Sequence, residues 1–318
     1  ASDVYKRQVE WNQDAIGQEG GHSVPRYVFT KNGSGSGIVS KELDKVKALG
    51  VPLRLRCYVE TIYRDDSGRV VGLKVRENYR FPKADSGKVK YIRARKAVVL
   101  CSGGYEYHKP MRQAFLEGPG VEGWAFYGTI YNEGDGIVMG QKVGAGIMKA
   151  GKAASRIIMP SPIRHNGMRL GMITPAVGSG HAIVVNNYGK RYAAEHKVTK
   201  DPSRYFFYKE AVRFNIDTLD YPNSPSWFIF DEKLRTTKPL VGLGISTPGY
   251  GFVDYGKADN SDAIRKGWIL KADTIEELGK KIAATKDNSG KMDPKVLAET
   301  VKKYNESLSL IHISEPTR

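Results

Sequence analysis

Two short glycine-containing stretches carry the residue types best suited to lie against a bound ligand. In KAVVLCSGGYEY, residues 96–107, an apolar segment that reads as a buried strand ends at Gly103 and Gly104. In NEGDGIVMGQKVGA, residues 132–145, Asp135 stands between two glycines where a loop becomes a helix. Because glycine has no Cβ, such backbone can approach a phosphate or a cofactor closely. A tight turn at the glycine pair and a simple helix N-cap at Asp135 are the alternatives.

Familiar catalytic and metal-binding motifs are missing from the sequence. It contains no P-loop, H-E-x-x-H, G-x-S-x-G or C-x-x-C motif. The six histidines show no ligand spacing, so the sequence predicts no metal site. The GSGSG run at 33–37 follows no convincing strand, and it therefore reads as a linker rather than a dinucleotide fingerprint.

The overall charge favours an anionic partner of some kind. The 318 residues carry a formal net charge of +16, which suits phosphates, carboxylates or nucleic acid. The basic residues are spread along the chain without zinc-finger spacing or a basic repeat, so we expect no nucleic-acid partner. No run of 18 apolar residues exists, which predicts no membrane span. The two cysteines, Cys57 and Cys101, favour a reduced compartment and leave the localisation open.

Helical and strand patterns alternate in an α/β order. The periodicity predicts a helix over 38–50, followed by a short strand and a hairpin whose turn is the DDSG at 65–68. A further strand is predicted over 91–104 and a long helix over 293–306. Between them, the pattern predicts a hairpin over 182–195 and a helix near 272–284, capped by Asp273 or Thr274.

The sequences at both ends of the chain differ in pattern from the segments next to them. ASDVYKRQ at 1–8 and SLSLIHISEPTR at 307–318 resemble translated sequencing-adapter read-through, and we expect them to carry no fold information. The composition changes near residue 157, where prolines become frequent. We therefore predict one domain over 9–157 and a second over 158–306, both belonging to a longer protein.

The order of the motifs resembles a known flavoprotein family. GGxSVxR, DDSGRVVGLKV, AVVLCSGGY, NEGDGIVMGQKVGA, VVNNYGKRYAAE and ADTIEELGKKI follow one another between residues 18 and 306. This succession resembles soluble fumarate reductases, urocanate reductase and 3-ketosteroid dehydrogenases. The resemblance implies an α/β fold with a FAD-binding, glutathione-reductase-like domain and an inserted α+β capping domain, here truncated at both ends.

The resemblance also implies FAD as the cofactor and names residues that contact it. The implied positions are backbone of the strand end, the family's GDG aspartate, a loop near the pyrophosphate and a strand beside the adenine. In this sequence they correspond to Ser102, Gly103, Gly104, Asp135, Gly20, Gly21, Ser23 and Val59.

The resemblance supplies only some of the family's catalytic residues. In the fumarate reductase branch, a Thr-Glu pair and a later Arg bind substrate and deliver a proton. MITPAV retains Thr174, whereas KVTKD has Lys200 at the position of the Arg. The resemblance thus implies Thr174 as a substrate contact and Lys200 as a proton donor, with Arg204 as a second candidate for that role.

The departures from the family pattern argue against fumarate as substrate. Pro175 stands at the Glu position and Met159 at the position of a substrate-binding His. Lysine also lacks the planar fork with which arginine grips a carboxylate. The implied substrate is another small molecule, an unsaturated acid or an enone, with an unknown electron donor.

Function is therefore predicted as FAD-dependent hydride transfer between flavin N5 and a C=C or C–C bond. A ketosteroid-type dehydrogenase, a non-catalytic protein that binds anions or nucleic acid, and an inactive paralogue are the alternatives. Because the family's dinucleotide motif would precede residue 9 and its last FAD segment would follow residue 306, we expect this chain alone to bind FAD weakly and not to turn over.

Overall fold

The computed structural model describes most of the chain, and the following account is confined to that part. The described residues are 11–17, 23, 27–30, 35–126, 128–151, 159–172, 174, 176–178, 180–195, 209–237, 239–241 and 259–314. The chain divides into two compact units. The first contains Ala1–Cys101 and Val138–Gly146, and the second contains Ser102–Ile137 and Ile147–Arg318. The predicted domain boundary near residue 157 stays a prediction.

The first unit contains two antiparallel sheets and one long helix. Strands β1 and β2 pair with each other, and β3, β4 and β5 form a meander in that order. The elements are β1 Trp11–Gly17, β2 Tyr27–Thr30, α1 Ser36–Ala48, β3 Cys57–Arg64, β4 Val70–Glu77 and β5 Lys88–Arg93.

The predicted hairpin turn is confirmed between β3 and β4. The amide of Gly68 donates to the carbonyl of Asp65 at 2.9 Å, and Gly68 has the positive φ, +85°, that glycine accepts without strain. The Asp65 carboxylate accepts from the Ser67 hydroxyl at 2.6 Å and from the Arg69 amide at 3.0 Å. Short polar side chains that bond to nearby backbone favour turns, which is why this segment was predictable.

Helix α1 forms where the periodicity predicted it, but its apolar stripe is not covered. The amide of Gly50 donates to the Lys47 carbonyl at 3.0 Å and ends the helix with φ +65°. Val39 is 60% exposed and Leu49 is 65% exposed, and no residue of the helix is buried. Propensity and the terminal glycine therefore define this helix, since its side chains find no core among the described residues.

The strand predicted over 91–104 is only partly correct. Strand β5 ends at Arg93, and residues 97–101 have no regular secondary structure. Val99 is 82% exposed, so the expected buried strand before the glycine pair is wrong. A strand needs a neighbour to pair its backbone groups, and the described part of the chain offers none at 97–101. The short strand expected after residue 51 is also absent. Residues 51–54 have no regular secondary structure.

The second unit is mixed helix and sheet, and its strand ladders are antiparallel. Helix α3 begins in it. The elements are α2 Lys109–Phe115, α3 Asp135–Lys142, β6 Met159–His165, β7 Met168–Met172, β8 Ala182–Val185, β9 Trp227–Phe230, α4 Glu232–Thr237, α5 Ser261–Arg265, α6 Ile275–Ala283 and α7 Pro294–Ser314. None of the helices described combines the length and apolar character needed to cross a membrane.

Strand β8 divides the core of the second unit into two faces. Ile183 and Val185 pack with helices α6 and α7, through residues such as Leu297, whereas Val184 packs on the other face beside Val177. This is the alternation that a strand requires. A further cluster joins Met172 to the apolar residues of α4 and α5.

The hairpin predicted over 182–195 is half correct. Its turn is present, since the Gly189 amide donates to the Asn186 carbonyl at 3.1 Å. The ladder partner of β8, however, is β9, and only Val185 bridges to Arg191. The apolar WFIF of β9 covers β8 better than the charged residues that follow the turn, which explains the difference.

A hydrogen bond between buried asparagine residues joins two segments of the second unit that lie far apart in the sequence. Asn288, in the loop between α6 and α7, is buried, and its Nδ2 donates to the Asn187 carbonyl at 3.0 Å. Trp227 Nε1 donates to Asn187 Oδ1 at 2.9 Å. Asn187 thus links the turn after β8 to both β9 and the loop before the last helix.

The predicted cap of α6 is confirmed, whereas the predicted end of the last helix at residue 306 is wrong. Thr274 caps α6, because its hydroxyl accepts from the Glu277 amide at 3.1 Å. Helix α7 covers the predicted 293–306 and continues to Ser314. Whether the closing string is native sequence stays a prediction.

Candidate active site

Gly103, Gly104 and Asp135, from the two glycine stretches singled out in the sequence, all belong to the second unit. The Gly134 amide donates to the Gly104 carbonyl at 3.0 Å, and the Tyr107 amide donates to the Asn132 carbonyl at 2.9 Å. Helix α3 begins at Asp135, directly after this contact. We call residues 102–104 and 132–136 the glycine loop pair. The structure therefore joins the predicted strand end to the start of the predicted helix.

Glycine is needed in the loop pair because the two segments approach closely. Gly103 has φ +79°, and a Cβ there would lie 2.1 Å from Asn132 Oδ1. A Cβ on Gly136 would lie 2.0 Å from Ser102 Oγ. The space beside these glycines is thus filled by side chains of the protein itself, and any ligand would meet the opposite, exposed side of Ser102 and Gly103.

The exposed side of the loop pair offers backbone donors. The amides of Ser102, Gly103 and Gly104 donate to no described residue. The first amides of α3 have no intrahelical partner, as at any helix N-terminus. Together these groups suit an anionic or carbonyl-bearing ligand, for which N–H groups at a helix start are favourable.

Glu106 supplies an acceptor next to these donors, although it is not among the residues predicted from the sequence. Its Oε1 accepts from Asn132 Nδ2 at 3.0 Å. Its Oε2 is buried beside Gly104 and has no hydrogen-bond partner among the described residues. A carboxylate directly after a glycine pair and an aromatic residue is the signal that could have identified it. Such an orphaned oxygen can take a donor from a ligand after a small movement.

A buried arginine fixes the geometry around Glu106. The Arg112 guanidinium donates to the carbonyls of Glu106 at 3.3 Å, Val121 at 2.7 Å and Trp124 at 2.5 Å. It also lies 5.1 Å from the centre of the Phe126 ring. Burial lowers the pKa of Arg112 to about 10, so the side chain keeps its charge at neutral pH. Arg112 therefore ties the glycine loop pair to the segment 121–126.

A histidine–glutamate contact holds the second half of the loop pair. His165 Nε2 and Glu133 Oε1 lie 2.9 Å apart, and Asn166 Nδ2 donates to the same oxygen at 2.8 Å. The His165 ring is buried edge-on against Tyr107 at 5.6 Å. Because Glu133 directly precedes Gly134, the turn between β6 and β7 positions the start of α3.

A cavity of about 1050 Å³ lies within the second unit. One wall is the segment 123–126, which Arg112 and Tyr107 hold by its carbonyls. Others come from strand β9, from residues 268–275 and from Thr174. Thr174 is 8% exposed, and its hydroxyl has no partner in the described part of the chain.

The remaining predicted site residues belong to the first unit or fall outside the described residues. Ser23 is exposed and Val59 lies in strand β3, both in the first unit. Four predicted residues, two cofactor contacts and two proton-donor candidates, lie outside the described residues: Gly20, Gly21, Lys200 and Arg204. The roles assigned to all of the site residues stay predictions.

Comparison with known proteins identifies the family to which this chain is similar. Residues 5–318 match the family described as "FAD binding domain". The chain is 28% identical over 265 residues to the 3-oxosteroid 1-dehydrogenase of Mycolicibacterium smegmatis, covering 80% of the chain and 41% of that protein. It is 40% identical over 97 residues to the acrylate reductase flavoprotein subunit of Shewanella woodyi, covering 30% of the chain and 19% of the relative.

A solved structure agrees with that match at the level of fold. The open conformation of a flavocytochrome c3 fumarate reductase aligns with 97% of the chain and 45% of that protein, with a TM-score of 0.50 and 21% identity. The chain spans less than half the length of the relatives it matches.

The donors of the glycine loop pair and the acceptor Glu106 fit a dinucleotide such as FAD, which carries phosphate oxygens, ring carbonyls and ring N–H groups. The family match and the relatives named above confirm the predicted resemblance to the fumarate reductase and 3-ketosteroid dehydrogenase flavoproteins, with FAD as the indicated cofactor. The chain belongs to the FAD binding domain family.

Proposed function

We propose that the protein is the FAD-binding part of an oxidoreductase that acts on a C=C or C–C bond of a small molecule. The observation that carries this proposal is the loop pair, in which the Gly134 amide bonds the Gly104 carbonyl at the start of α3, in a chain of this family. When bound, FAD supplies a two-electron centre that exchanges hydride with such a bond.

The protein's own residues would hold and orient the reactants. Backbone N–H groups of residues 102–104 and of the first turn of α3 would bind cofactor oxygens. Glu106 would accept a cofactor donor, and Thr174 would contact the substrate. Lys200, or Arg204 in its place, would deliver the proton, provided that its pKa suits the working pH. In this proposal residues 158–306 form the capping domain.

A ketosteroid-type dehydrogenase is the second candidate. The identity to a 3-oxosteroid 1-dehydrogenase over 265 residues favours it. In such an enzyme tyrosines would carry out the acid–base work, and the 18 tyrosines of this chain include no pair that the sequence singles out.

FAD titration of glycine variants tests the proposal. Gly103→Ala adds a Cβ at φ +79° and 2.1 Å from Asn132, so we expect the loop pair to separate and FAD affinity to fall at least tenfold. Gly290→Ala is the matched control, because Gly290 has φ +82° but open space around it. Flavin fluorescence is followed for the 318-residue chain and for the polypeptide extended by its flanking coding sequence.

The two variants separate a cofactor role from a general effect on folding. FAD affinity that falls in Gly103→Ala and is retained in Gly290→Ala supports the proposal. Equal FAD affinities of the two variants in the extended polypeptide, or no FAD binding by the extended wild-type polypeptide, would refute it.

A further inference from the structure

We infer that one face of the sheet formed by β3, β4 and β5 is a docking surface for an acidic protein. We call this surface the tyrosine face, and its residues are Tyr63, Lys74, Arg76, Val89, Tyr91 and Arg93. None of them belongs to the glycine loop pair or lines the cavity, so the docking surface is independent of the proposed function.

The register of the sheet places these side chains on a single face. Lys74 of β4 lies opposite Tyr91 of β5, and Arg76 lies opposite Val89. Because successive residues of a strand point to opposite faces, Val75 points the other way, and it is only 1% exposed. The sheet therefore has one covered face and one face open to solvent.

Two tyrosines form the centre of the open face. Tyr63 on β3 and Tyr91 on β5 have ring centres 6.1 Å apart, although strand β4 separates their backbones. The residue of β4 opposite Tyr63 is Gly72, which adds no side chain between the rings. Tyr63 is 41% exposed and Tyr91 is 71% exposed. Exposed tyrosines suit a protein interface, because each buries a large ring and also offers a hydroxyl to a partner.

Basic residues flank the tyrosines at both ends of β5. Thirteen basic and five acidic residues give residues 51–96 a net charge of +8, half of the +16 of the whole chain. Lys90 pairs with Glu77. The other basic residues of 78–96 are exposed and have no acidic partner in the described part of the chain: Arg80, Lys83, Lys88, Arg93, Arg95 and Lys96. Such a surface attracts an acidic partner.

The position of the charges favours a protein over a nucleic acid. Glu60 already pairs with Lys74, at 2.8 Å, and with Arg76. Of the basic side chains on the tyrosine face, only Arg93 has no acidic partner among the described residues, so phosphates would find few cations beside the rings. An aromatic centre with a charged rim is instead the usual composition of a protein interface.

The same surface limits which protein can bind and how tightly. A second copy of this chain would be repelled, because two surfaces of the same positive charge would face each other. The three strands have only eight, eight and six residues, so the contact is small. Small, charged interfaces belong to transient complexes, whose affinity falls as salt rises.

Fluorescence anisotropy with labelled probes tests the docking surface. The probes are a peptide in which glutamates alternate with leucine and phenylalanine, and an oligothymidylate of the same net charge, each added to the full 318-residue chain. We expect the peptide to bind saturably and more weakly as salt rises, and the oligothymidylate to bind several-fold more weakly than the peptide. No saturable binding of the peptide, or equal or tighter binding of the oligothymidylate, would overturn the inference.

Variants of Tyr91 test the aromatic centre. Tyr91→Ser removes the ring, and we expect peptide affinity to fall at least about fivefold. Tyr91→Phe keeps the ring and should retain most of the affinity. Ile216→Ser is the control, because Ile216 is a similarly exposed apolar residue of the second unit, at 78%. Unchanged affinity in Tyr91→Ser, or an equal loss in Ile216→Ser, would show that the tyrosine face is not the docking surface.

A matched pair of charge reversals tests the basic rim. Arg93→Glu and Lys280→Glu change the net charge equally, and Lys280 is an exposed residue of α6 in the second unit. We expect Arg93→Glu to lower peptide affinity about tenfold at low salt and less at high salt, and Lys280→Glu to lower it less than about twofold. Equal losses would mean that the peptide responds only to the overall charge, and the inference would fail.

Discussion

The two compact units stabilise themselves in different ways. In the second unit, strands and helices enclose apolar clusters in which Met172, Leu240 and Leu297 are fully buried. In the described part of the first unit, the buried hydrophobic residues are Ile62, Val75 and Met139, while Val99 and Leu55 are more than 70% exposed.

The difference indicates which interactions stabilise each unit. Burial of apolar surface is the main favourable term in folding, and the second unit has most of it. The first unit relies on the backbone ladder of β3, β4 and β5 and on charge pairs across it, such as Glu60 with Lys74 at 2.8 Å. Ion pairs at the surface, even partly buried ones such as this, contribute little individually. We therefore expect mutations to have large effects in the second unit and small ones in the first.

The largest effect is expected in the core beneath α7. Leu297→Ala removes a fully buried side chain packed against β8 and α6, and should lower the free energy of unfolding by about 2–5 kcal/mol. Val99→Ala, at an exposed position of the first unit, should change it by less than about 0.5 kcal/mol. Urea denaturation followed by tryptophan fluorescence measures both. Similar losses in the two variants would contradict the comparison.

A smaller loss is expected when the buried arginine is neutralised. Arg112→Met leaves the carbonyls of Glu106, Val121 and Trp124 without their donor, and should destabilise the second unit by about 2–3 kcal/mol. Arg265→Met is the control, because Arg265 is an exposed partner of Asp262 in the same unit. If both substitutions have the same effect on the urea midpoint, Arg112 does not tie the loop pair to the cavity wall.

The cap of α6 should contribute less. Thr274→Ala removes the acceptor for the Glu277 amide, and the expected loss is about 1 kcal/mol. Thr274→Ser retains a hydroxyl acceptor and should stay close to wild type. Thermal unfolding of the two variants measures the difference, and an Ala variant as stable as the Ser variant would argue against the cap.

The smallest effect is expected in the first unit and depends on pH. Hydrogen bonds from Lys74 and then Arg76 lower the pKa of Glu60 below its ordinary value of 4.5. Since the folded-state pKa is lowered, the stabilisation is present above pH 4.5 and disappears as pH falls through the folded-state value. Glu60→Gln should weaken the sheet by about 0.5 kcal/mol at pH 7, and this loss should shrink as pH falls through the folded-state pKa of Glu60. Hydrogen exchange of β3 and β4 amides tests this, and a difference that grows on acidification would refute it.

Local structure could be predicted from the sequence because local residues determine it. The turn at 65–68, the Thr274 cap and helix α1 each depend on side chains within four residues of the bonds they make. The pairing of β8 with β9 could not be predicted, because it joins segments about forty residues apart. The strand expected at 97–101 failed for the same reason, since its existence depends on a partner that the pattern does not specify.

The candidate site was predictable to the same extent. The sequence selected Gly103, Gly104 and Asp135, whose types carry the information, and the structure brings their segments together. It did not select Glu106, whose one sequence signal is its place directly after the glycine pair and Tyr105. It could not select Arg112, which is distinguished only by its burial and by the carbonyls to which it donates. The cavity could not be predicted from the sequence either, because its walls come from separate stretches between residues 122 and 287.

The contact between Asn288 and Asn187 has a consequence for folding during synthesis. The two residues are 101 positions apart. At the usual rate of translation, β8 leaves the ribosome about 5 to 20 seconds before its partner loop exists. Throughout that interval Ile183 and Val185 lack the helices that cover them in the finished protein. The nascent chain therefore exposes the apolar face of β8 during this interval. A chaperone that binds residues 182–185 would act at this stage of synthesis.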